Sequence, residues 1–187
     1  MVDRIFVALQ FAARKHKAQR RKGGTHIPYI NHPIDVATLL ATIGKVTDAD
    51  ILSAAVLHDT VEDTDTTAEE IERTFGPVIA GLVAEVTDDP ALTSAQRKER
   101  QQAEAPSKSR AAKLIRLADK TCNVRDITHA CPPSWSRERQ IAYFDWAERV
   151  VAGLRGTDAA LEAEFDRMLA GARDAVRHES TPRTGEK

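Results

Sequence analysis

One short stretch carries most of the chemistry that this sequence offers. His58-Asp59-Thr60-Val61-Glu62-Asp63 places one imidazole and three carboxylates within six residues, directly after the apolar run 51–57. Carboxylates crowded at the end of a buried helix repel one another and lose hydration unless something pairs with them. A bound divalent cation is the simplest remedy. If the stretch is helical, His58 and Glu62 share one face at i, i+4.

Candidates that could complete a metal site lie far from this stretch in the chain. His32 stands at a predicted helix start, and Asp119 lies on the polar edge of an otherwise apolar helix. A lone histidine at a helix start is more often a local hydrogen-bonding group than a ligand. Taken together, His32, His58, Asp59 and Asp119 form a set of two imidazoles and two carboxylates. Such mixed ligation suits Mn²⁺, Fe²⁺ or Zn²⁺ better than Ca²⁺.

Glu62 and Asp63 stand one helical turn beyond His58 and Asp59. A metal held by such a set can lower the pKa of a water molecule and generate hydroxide near neutral pH. Carboxylates one turn away are placed to hold that water or to accept its proton. We therefore predict that Glu62 and Asp63 are the catalytic pair.

Composition limits the classes of protein that the chain can belong to. With 187 residues, 42% hydrophobic and 29% charged, it fits one globular domain, and its net charge of −1 argues against broad binding to nucleic acid or anionic membrane. The two cysteines, Cys122 and Cys131, form no CxxC pair. Together with the lack of a signal-like N-terminus or a long apolar run, this favours a cytoplasmic protein in a reducing compartment. The oligomeric state stays open.

The hydrophobic pattern predicts an all-α chain of about eight or nine helices in one domain over 1–176, followed by a flexible tail over 177–187. The first helix is expected over 3–19, and the second starts with Asn31 or His32 as its cap. Gly-Gly and Pro breakers near 20–29 indicate a loop with room for one small β-hairpin. The polar stretch 94–110 is predicted as an exposed helix and loop, with a basic lip over an anionic substrate as the alternative.

These motifs resemble the HD-domain metal-dependent phosphohydrolases. More closely, four segments are similar to the hydrolase domain of the RelA/SpoT family: Arg20-Arg21-Lys22, Tyr29-Ile30-Asn31-His32-Pro33, His58-Asp59-Thr60-Val61-Glu62-Asp63-Thr64 and Leu117-Ala118-Asp119-Lys120. The resemblance covers residues 4 to about 170, so the domain over 1–176 would be of the HD type. A length close to one hydrolase domain favours the free-standing small alarmone hydrolases, which include the metazoan SpoT homologue.

The resemblance implies hydrolysis of the 3′-pyrophosphate of guanosine tetraphosphate and pentaphosphate, ppGpp and pppGpp, the alarmones of the stringent response. The products would be GDP or GTP and pyrophosphate, with Mn²⁺ as the usual metal and Fe²⁺ or Zn²⁺ as alternatives. It also implies metal ligation by His32, His58, Asp59 and Asp119, and activation of water by Glu62 and Asp63. The nucleotide pocket would be formed by Arg21, Lys22, Tyr29, Asn123, Arg139 and Tyr143. Trp135 is expected in the packed core, with a pocket wall as the alternative.

Two other functions stay open at this point. One is a phosphatase of another nucleotide, such as the 2′-phosphate of NADPH; the other is a non-catalytic nucleotide-binding regulator, which would be marked by loss of a ligand or of the catalytic pair. The chain departs from the family pattern at Gly23, where an acid is common, at Ser94, where a lysine is common, and at Thr121-Cys122, where Leu-Tyr is common. These departures bear on substrate preference rather than on the presumed ligands.

Overall fold

The computed structural model describes residues 2–23 and 26–178. Over these residues the chain forms nine α-helices of eight residues or more and one single-turn helix, with no regular β-strand. Their bounds are α1 Val2–Lys15, α2 Asn31–Thr42, α3 Ala49–Leu57, α4 Thr60–Asp63, α5 Ala68–Phe75, α6 Pro77–Val86, α7 Ser94–Glu104, α8 Arg110–His129, α9 Arg137–Ala152 and α10 Ala159–His178. The all-α prediction is confirmed. Among the described helices, none combines the length and apolar character needed to span a bilayer.

Two helices organise the core. α8 is buried from Ala112 to Ile127, and α2, α6, α9 and α10 pack against it. α3 is apolar along almost its whole length and packs against α1, α2 and α6. α2 packs against both α3 and α8, and His32 in its first turn lies next to His58 at the end of α3 and Asp119 in the middle of α8. Three segments that are distant in sequence therefore meet at one place.

The helix that carries the central stretch breaks after Leu57, so His58 and Glu62 do not share a continuous helix as the pattern suggested. Side chains take the place of the backbone donors at this break. The Thr60 hydroxyl donates to the Leu57 carbonyl at 2.6 Å, and Nδ1 of His58 donates to the Ala55 carbonyl at 2.8 Å. Such side-chain bonds satisfy the last carbonyls of a helix and compete with its continuation. The break separates α4, which carries Glu62 and Asp63, from α3.

The connection from α1 to α2 folds back on itself. Arg20 and Pro28 form one antiparallel bridge, and the N–H of Tyr29 donates to the Gln19 carbonyl at 3.1 Å. The small hairpin predicted near 20–29 is thus present as a single bridge rather than as a pair of strands. Residues 24 and 25 lie outside the described part of the chain.

Three helix boundaries differ from those that the sequence suggested. α1 ends at Lys15 and is followed by a turn, which leaves Gln19 outside the helix. The N-cap of α2 is Ile30, which offers no side-chain cap, so the expectation of Asn31 or His32 as the cap was wrong. α10 includes Arg177 and His178, and the rest of the predicted tail lies outside the described residues.

Candidate metal centre and adjoining cavity

Four side chains converge where α2, α8 and the end of α3 meet. Nε2 of His58 lies 3.0 Å from Oδ2 of Asp59, and Nε2 of His32 lies 3.2 Å from Oδ1 of Asp119. The crossed distances, from His32 to Asp59 and from His58 to Asp119, are both 3.8 Å. The ligand atoms of His32, His58 and Asp59 all lie within 4.8 Å of one another. The structure therefore brings together the four residues that the sequence singled out.

The hydrogen bonding of the His58 ring is compatible with a divalent cation at this place. Its Nδ1 faces the Ala55 carbonyl, which can only accept, so the hydrogen of that bond is on Nδ1. Nε2 is buried and has no aligned hydrogen-bond partner among the described residues. Metal-binding histidines commonly donate one ring N–H to a carbonyl and offer the other nitrogen to the metal. A buried nitrogen aimed at two carboxylates suits a cation between them.

The electrostatics of the cluster also favour positive charge. Burial opposes ionisation of Asp59, but the adjacent His58 outweighs it and holds the pKa of Asp59 below its ordinary value. The pKa of Asp119 is likewise lowered against burial, chiefly by the Lys120 ammonium. Burial would lower the pKa of His58, yet the Asp59 and Asp119 carboxylates raise it to about 10. Both acids are therefore ionised and ready to bind a cation.

Three further side chains hold the two carboxylates in place. The Tyr29 hydroxyl donates to Oδ2 of Asp59 at 2.6 Å. Lys120 donates to Oδ2 of Asp119 at 3.0 Å, and the Asn123 amide donates to Oδ1 of the same residue at 2.5 Å. Bonds of this kind orient ligands and tune their basicity. Lys120 belongs to the family segment quoted above but was given no role, and the structure shows that it is a buried lysine paired with Asp119.

Glu62 and Asp63 extend from α4 into the adjoining space. The backbone N–H of Asp88 donates to Oε2 of Glu62 at 3.2 Å, and the Gln19 amide donates to Oδ2 of Asp63 at 2.9 Å. Partial burial of its carboxyl group, together with the Asp88 and Asp59 carboxylates, raises the pKa of Glu62 above its ordinary value. A glutamate whose pKa lies nearer neutrality is better suited to accept a proton at physiological pH.

A cavity of about 540 Å³ opens beside the cluster. His32 and Asp59 line its floor, next to Glu62 and Asp63. Of the residues predicted for the nucleotide pocket, five line this cavity: Arg21, Lys22, Tyr29, Asn123 and Tyr143. Arg139 does not line it, but its guanidinium lies 4.5 Å from the ring centroid of Trp135. The volume is in the range of ordinary small-molecule sites.

Aromatic and charged side chains form the wall of the cavity. Trp135 lines it, which was the alternative prediction for this residue, and is also partly buried against the core. Arg21 forms an ion pair with Asp126, and its guanidinium lies 5.4 Å from the Tyr29 ring centroid. Arg125 is paired with Asp35 at 2.6 Å on the same wall. Aromatic faces and paired cations are the groups expected around a base and phosphates.

The three departures from the family pattern differ in their surroundings. A Cβ on Gly23 would lie 2.1 Å from the Ala130 carbonyl oxygen, so only glycine allows this approach of the loop to the end of α8. Thr121 and Cys122 are buried, and neither lines the cavity, so this pair bears on the packing of α8. Ser94 is exposed at the start of α7 and does not line the cavity either. Of the three positions, only Gly23 shapes the cavity directly.

Comparison with known proteins identifies the family of this chain and several relatives. Residues 8–150 match the HD domain family. The chain is 52% identical over 165 residues to guanosine-3′,5′-bis(diphosphate) 3′-pyrophosphohydrolase MESH1 of Xenopus tropicalis and 51% identical to that of Homo sapiens, each covering 88% of this chain and 92% of the relative. It also resembles a solved structure of a metazoan ortholog of SpoT, described as hydrolyzing ppGpp and playing a role in starvation responses. The two share 47% identity with a TM-score of 0.87, over 90% of this chain and 94% of the other.

Proposed function

We infer the function of this chain from its family: it belongs to the HD-domain hydrolases of the guanosine-3′,5′-bis(diphosphate) 3′-pyrophosphohydrolase type. It hydrolyses the 3′-pyrophosphate of ppGpp and pppGpp and releases GDP or GTP with pyrophosphate. The observation that carries this proposal is the convergence of two imidazoles and two carboxylates beside Glu62 and Asp63, at the floor of a cavity that holds Arg21 and Lys22. A small, highly charged nucleotide is the kind of substrate that such a cavity accommodates.

His32, His58, Asp59 and Asp119 would hold a divalent cation, for which we propose Mn²⁺, with Fe²⁺ and Zn²⁺ as alternatives. The two carboxylates balance a double positive charge, and the two imidazoles suit a first-row transition metal. When bound, the cation supplies Lewis acidity and lowers the pKa of a water molecule. Tyr29 keeps Asp59 oriented for this role through its hydrogen bond.

The residues of the chain have separate tasks in the reaction. The water oxygen attacks the phosphorus atom bonded to O3′ of the ribose, while Glu62 and Asp63 hold the water and accept its proton. The bond from that phosphorus to O3′ breaks, its electron pair stays on O3′, and O3′ then takes up a proton. Arg21 and Lys22 offset the negative charge of the pyrophosphate group while its bond to O3′ breaks.

Substitution of the presumed ligands tests the metal assignment. His58→Ala or Asp59→Ala should abolish Mn²⁺ binding, followed by calorimetric titration, together with pyrophosphate release from ppGpp. Undiminished pyrophosphate release would refute the assignment. Glu72→Ala, at an exposed position of α5, is a matched surface control and should behave as the wild type.

Substitution of the catalytic pair separates metal binding from turnover. Glu62→Ala should leave Mn²⁺ affinity unchanged and lower kcat by about 100-fold to 10,000-fold, the usual contribution of a positioned acid or base. A parallel loss of Mn²⁺ would mean that Glu62 is a ligand instead. Retention of full turnover would remove it from the mechanism.

A second candidate is a phosphatase acting on another nucleotide, such as the 2′-phosphate of NADPH. It is favoured by the pairing of two cavity cations, Arg21 with Asp126 and Arg125 with Asp35, because a single ribose phosphate needs fewer free cations than a pyrophosphate. Parallel assays of phosphate release from NADPH and pyrophosphate release from ppGpp separate the two. A higher kcat/KM for NADPH would replace the proposed substrate, and tight binding of ppGpp without turnover would indicate a non-catalytic regulator.

A further inference from the structure

We propose that Gln19, held in place by the buried side chain of His16, is a positioning residue for the Asp63 carboxylate. The proposal rests on the proposed function, since that function makes Asp63 part of the catalytic pair. Neither His16 nor Gln19 belongs to the metal cluster or to the basic residues Arg21 and Lys22. Both lie in the turn that follows α1, more than forty residues from Asp63 in the chain.

The hydrogen atoms of this contact can be assigned from chemistry alone. The Asp63 carboxylate can only accept, so the group of Gln19 that lies 2.9 Å from it is the NH₂ group. The amide oxygen of Gln19 then faces Nδ1 of His16 at 2.6 Å, and this nitrogen must be the donor. Both ends of the Gln19 amide are thus used, and each fixes the orientation of the other.

His16 is itself held firmly. It is 1% exposed, and its ring lies 5.0 Å, centroid to centroid, from the ring of Tyr29. Its backbone N–H donates to the Ala12 carbonyl at 2.9 Å, which continues the last turn of α1. The N–H of Gln19 donates to the His16 carbonyl at 2.9 Å, so the spacing of the two side chains is set by the backbone. The chain of hydrogen bonds from His16 through Gln19 to Asp63, here called the relay, therefore connects Asp63 to the packed core beneath α1.

Asp63 needs such a support because of its position. It is an exposed residue at the last position of a helix of only four residues, where a carboxylate has several rotamers open to it. Its neighbour Glu62 is held from the other side by the backbone N–H of Asp88. The two carboxylates are thus fixed by separate segments of the chain, and this defines the gap between them in which a water molecule can be held.

A direct contact between Gln19 and the substrate is the rival explanation, because Gln19 lines the cavity. His16 does not line it, which provides a way to decide. A substrate contact would raise KM when Gln19 is changed and would be insensitive to His16. A positioning role would lower kcat in both cases and leave KM nearly constant.

The kinetic test uses Gln19→Leu, His16→Phe and Asp63→Asn with Mn²⁺ and ppGpp. Gln19→Leu removes both hydrogen bonds of the amide and keeps a side chain of similar size. His16→Phe keeps an aromatic ring against Tyr29 and removes the N–H that donates to Gln19. Each should lower kcat by about 10-fold to 100-fold, because small displacements of a catalytic group have effects of that size. Gln10→Leu, the same change at an exposed position of α1, should be neutral. Circular dichroism and Mn²⁺ affinity confirm that each variant is folded.

A double-mutant cycle then isolates the coupling. In the Asp63→Asn background, Gln19→Leu should add less than about twofold to the loss, since the group that it positions is already impaired. The same fold-loss in both backgrounds, or a rise in KM with an unchanged kcat, would overturn the proposal.

A readout that does not depend on activity completes the test. The side-chain NH₂ signals of Gln19 in a ¹⁵N NMR spectrum, assigned by their loss in Gln19→Leu, should shift in both Asp63→Asn and His16→Phe. Unshifted signals would overturn the relay even if the enzyme is active. Shifted signals in a protein that releases no pyrophosphate from ppGpp would support the relay while the proposed function fails.

Discussion

Removing the hydroxyl of Tyr29 should weaken metal binding rather than substrate binding. The resemblance to the RelA/SpoT family implied a role for Tyr29 in the nucleotide pocket, yet its hydroxyl donates to Oδ2 of Asp59 at 2.6 Å. In Tyr29→Phe the ring can keep its contacts with the His16 ring at 5.0 Å and the His32 ring at 5.9 Å. The substitution is therefore close to the deletion of one hydrogen bond.

The size of the effect follows from the charge and exposure of Asp59. A hydrogen bond to an ionised group contributes about 1.5–3 kcal/mol, which corresponds to a change of about 10-fold to 150-fold in a dissociation constant. The side chain of Asp59 is 19% exposed, so water can replace part of the lost bond. We therefore expect the lower end, an increase of about tenfold in the Kd for Mn²⁺, consistent with other residues that support metal ligands.

Calorimetric titration of Mn²⁺ into the metal-free variant measures this Kd, and kinetics at saturating Mn²⁺ measure KM for ppGpp. Tyr143→Phe is the matched control, because it removes the same hydroxyl from the cavity wall without a bond to a presumed ligand. An unchanged Kd for Mn²⁺ in Tyr29→Phe, combined with a higher KM for ppGpp, would refute the reasoning and indicate that Tyr29 contacts the substrate instead.

Three further predictions concern shape and pH. Gly23→Ala should lower kcat/KM for ppGpp by about tenfold or more and leave Mn²⁺ affinity unchanged. The new Cβ would meet the Ala130 carbonyl and displace the loop. Unchanged kinetics would show that the loop adapts. A base must be ionised to act, so the raised pKa of Glu62 should place the acidic limb of the pH–rate profile above the ordinary glutamate range. Asp88→Asn should move that limb to lower pH, because the Asp88 carboxylate contributes to the raised pKa. If the limb does not move, the Asp88 carboxylate is not a cause of its position. The pKa of His58 is raised from 6.5 to about 10, so the stability that this shift gives to metal-free protein is present below pH 6.5 and is lost as the pH rises through 10. Thermal unfolding from pH 6 to pH 10 should therefore show a steeper fall in Tm for wild type than for His58→Gln, and parallel curves would contradict this.

Much of the site could be predicted because it depends on local pattern. The adjacent His58-Asp59 pair ends an apolar run, and Asp119 interrupts the apolar face of α8, so each position reports an unusual polar group next to a buried surface. Helix-start signals placed His32 at the beginning of α2. Their convergence follows once these helices pack around one core. Their roles as ligands stay predictions until metal binding is measured.

The remaining features depend on tertiary contacts that no local pattern encodes. No local pattern gave a role to Gln19 or Lys120, and their contacts with Asp63 and Asp119 follow from how the turn after α1 and the buried face of α8 pack. On α1, Phe6 is 64% exposed although it is a large apolar residue in a helix that packs against α3. Small residues of α1 allow the close approach to α3, and helical spacing alone does not distinguish them from larger apolar neighbours.

The depth of the proposed metal site has a consequence for the order in which the cation and the nucleotide bind. Of the four proposed ligands, only His32 and Asp59 line the cavity, whereas His58 and Asp119 are buried and do not line it. If the proposed cation enters through this cavity, we expect it to bind before the nucleotide and to leave after it. Bound nucleotide would then block the cavity, so a chelator should remove the metal more slowly when the nucleotide is bound. The metal content of the nucleotide-free enzyme would then follow the free metal concentration, whereas that of the nucleotide-bound enzyme would not.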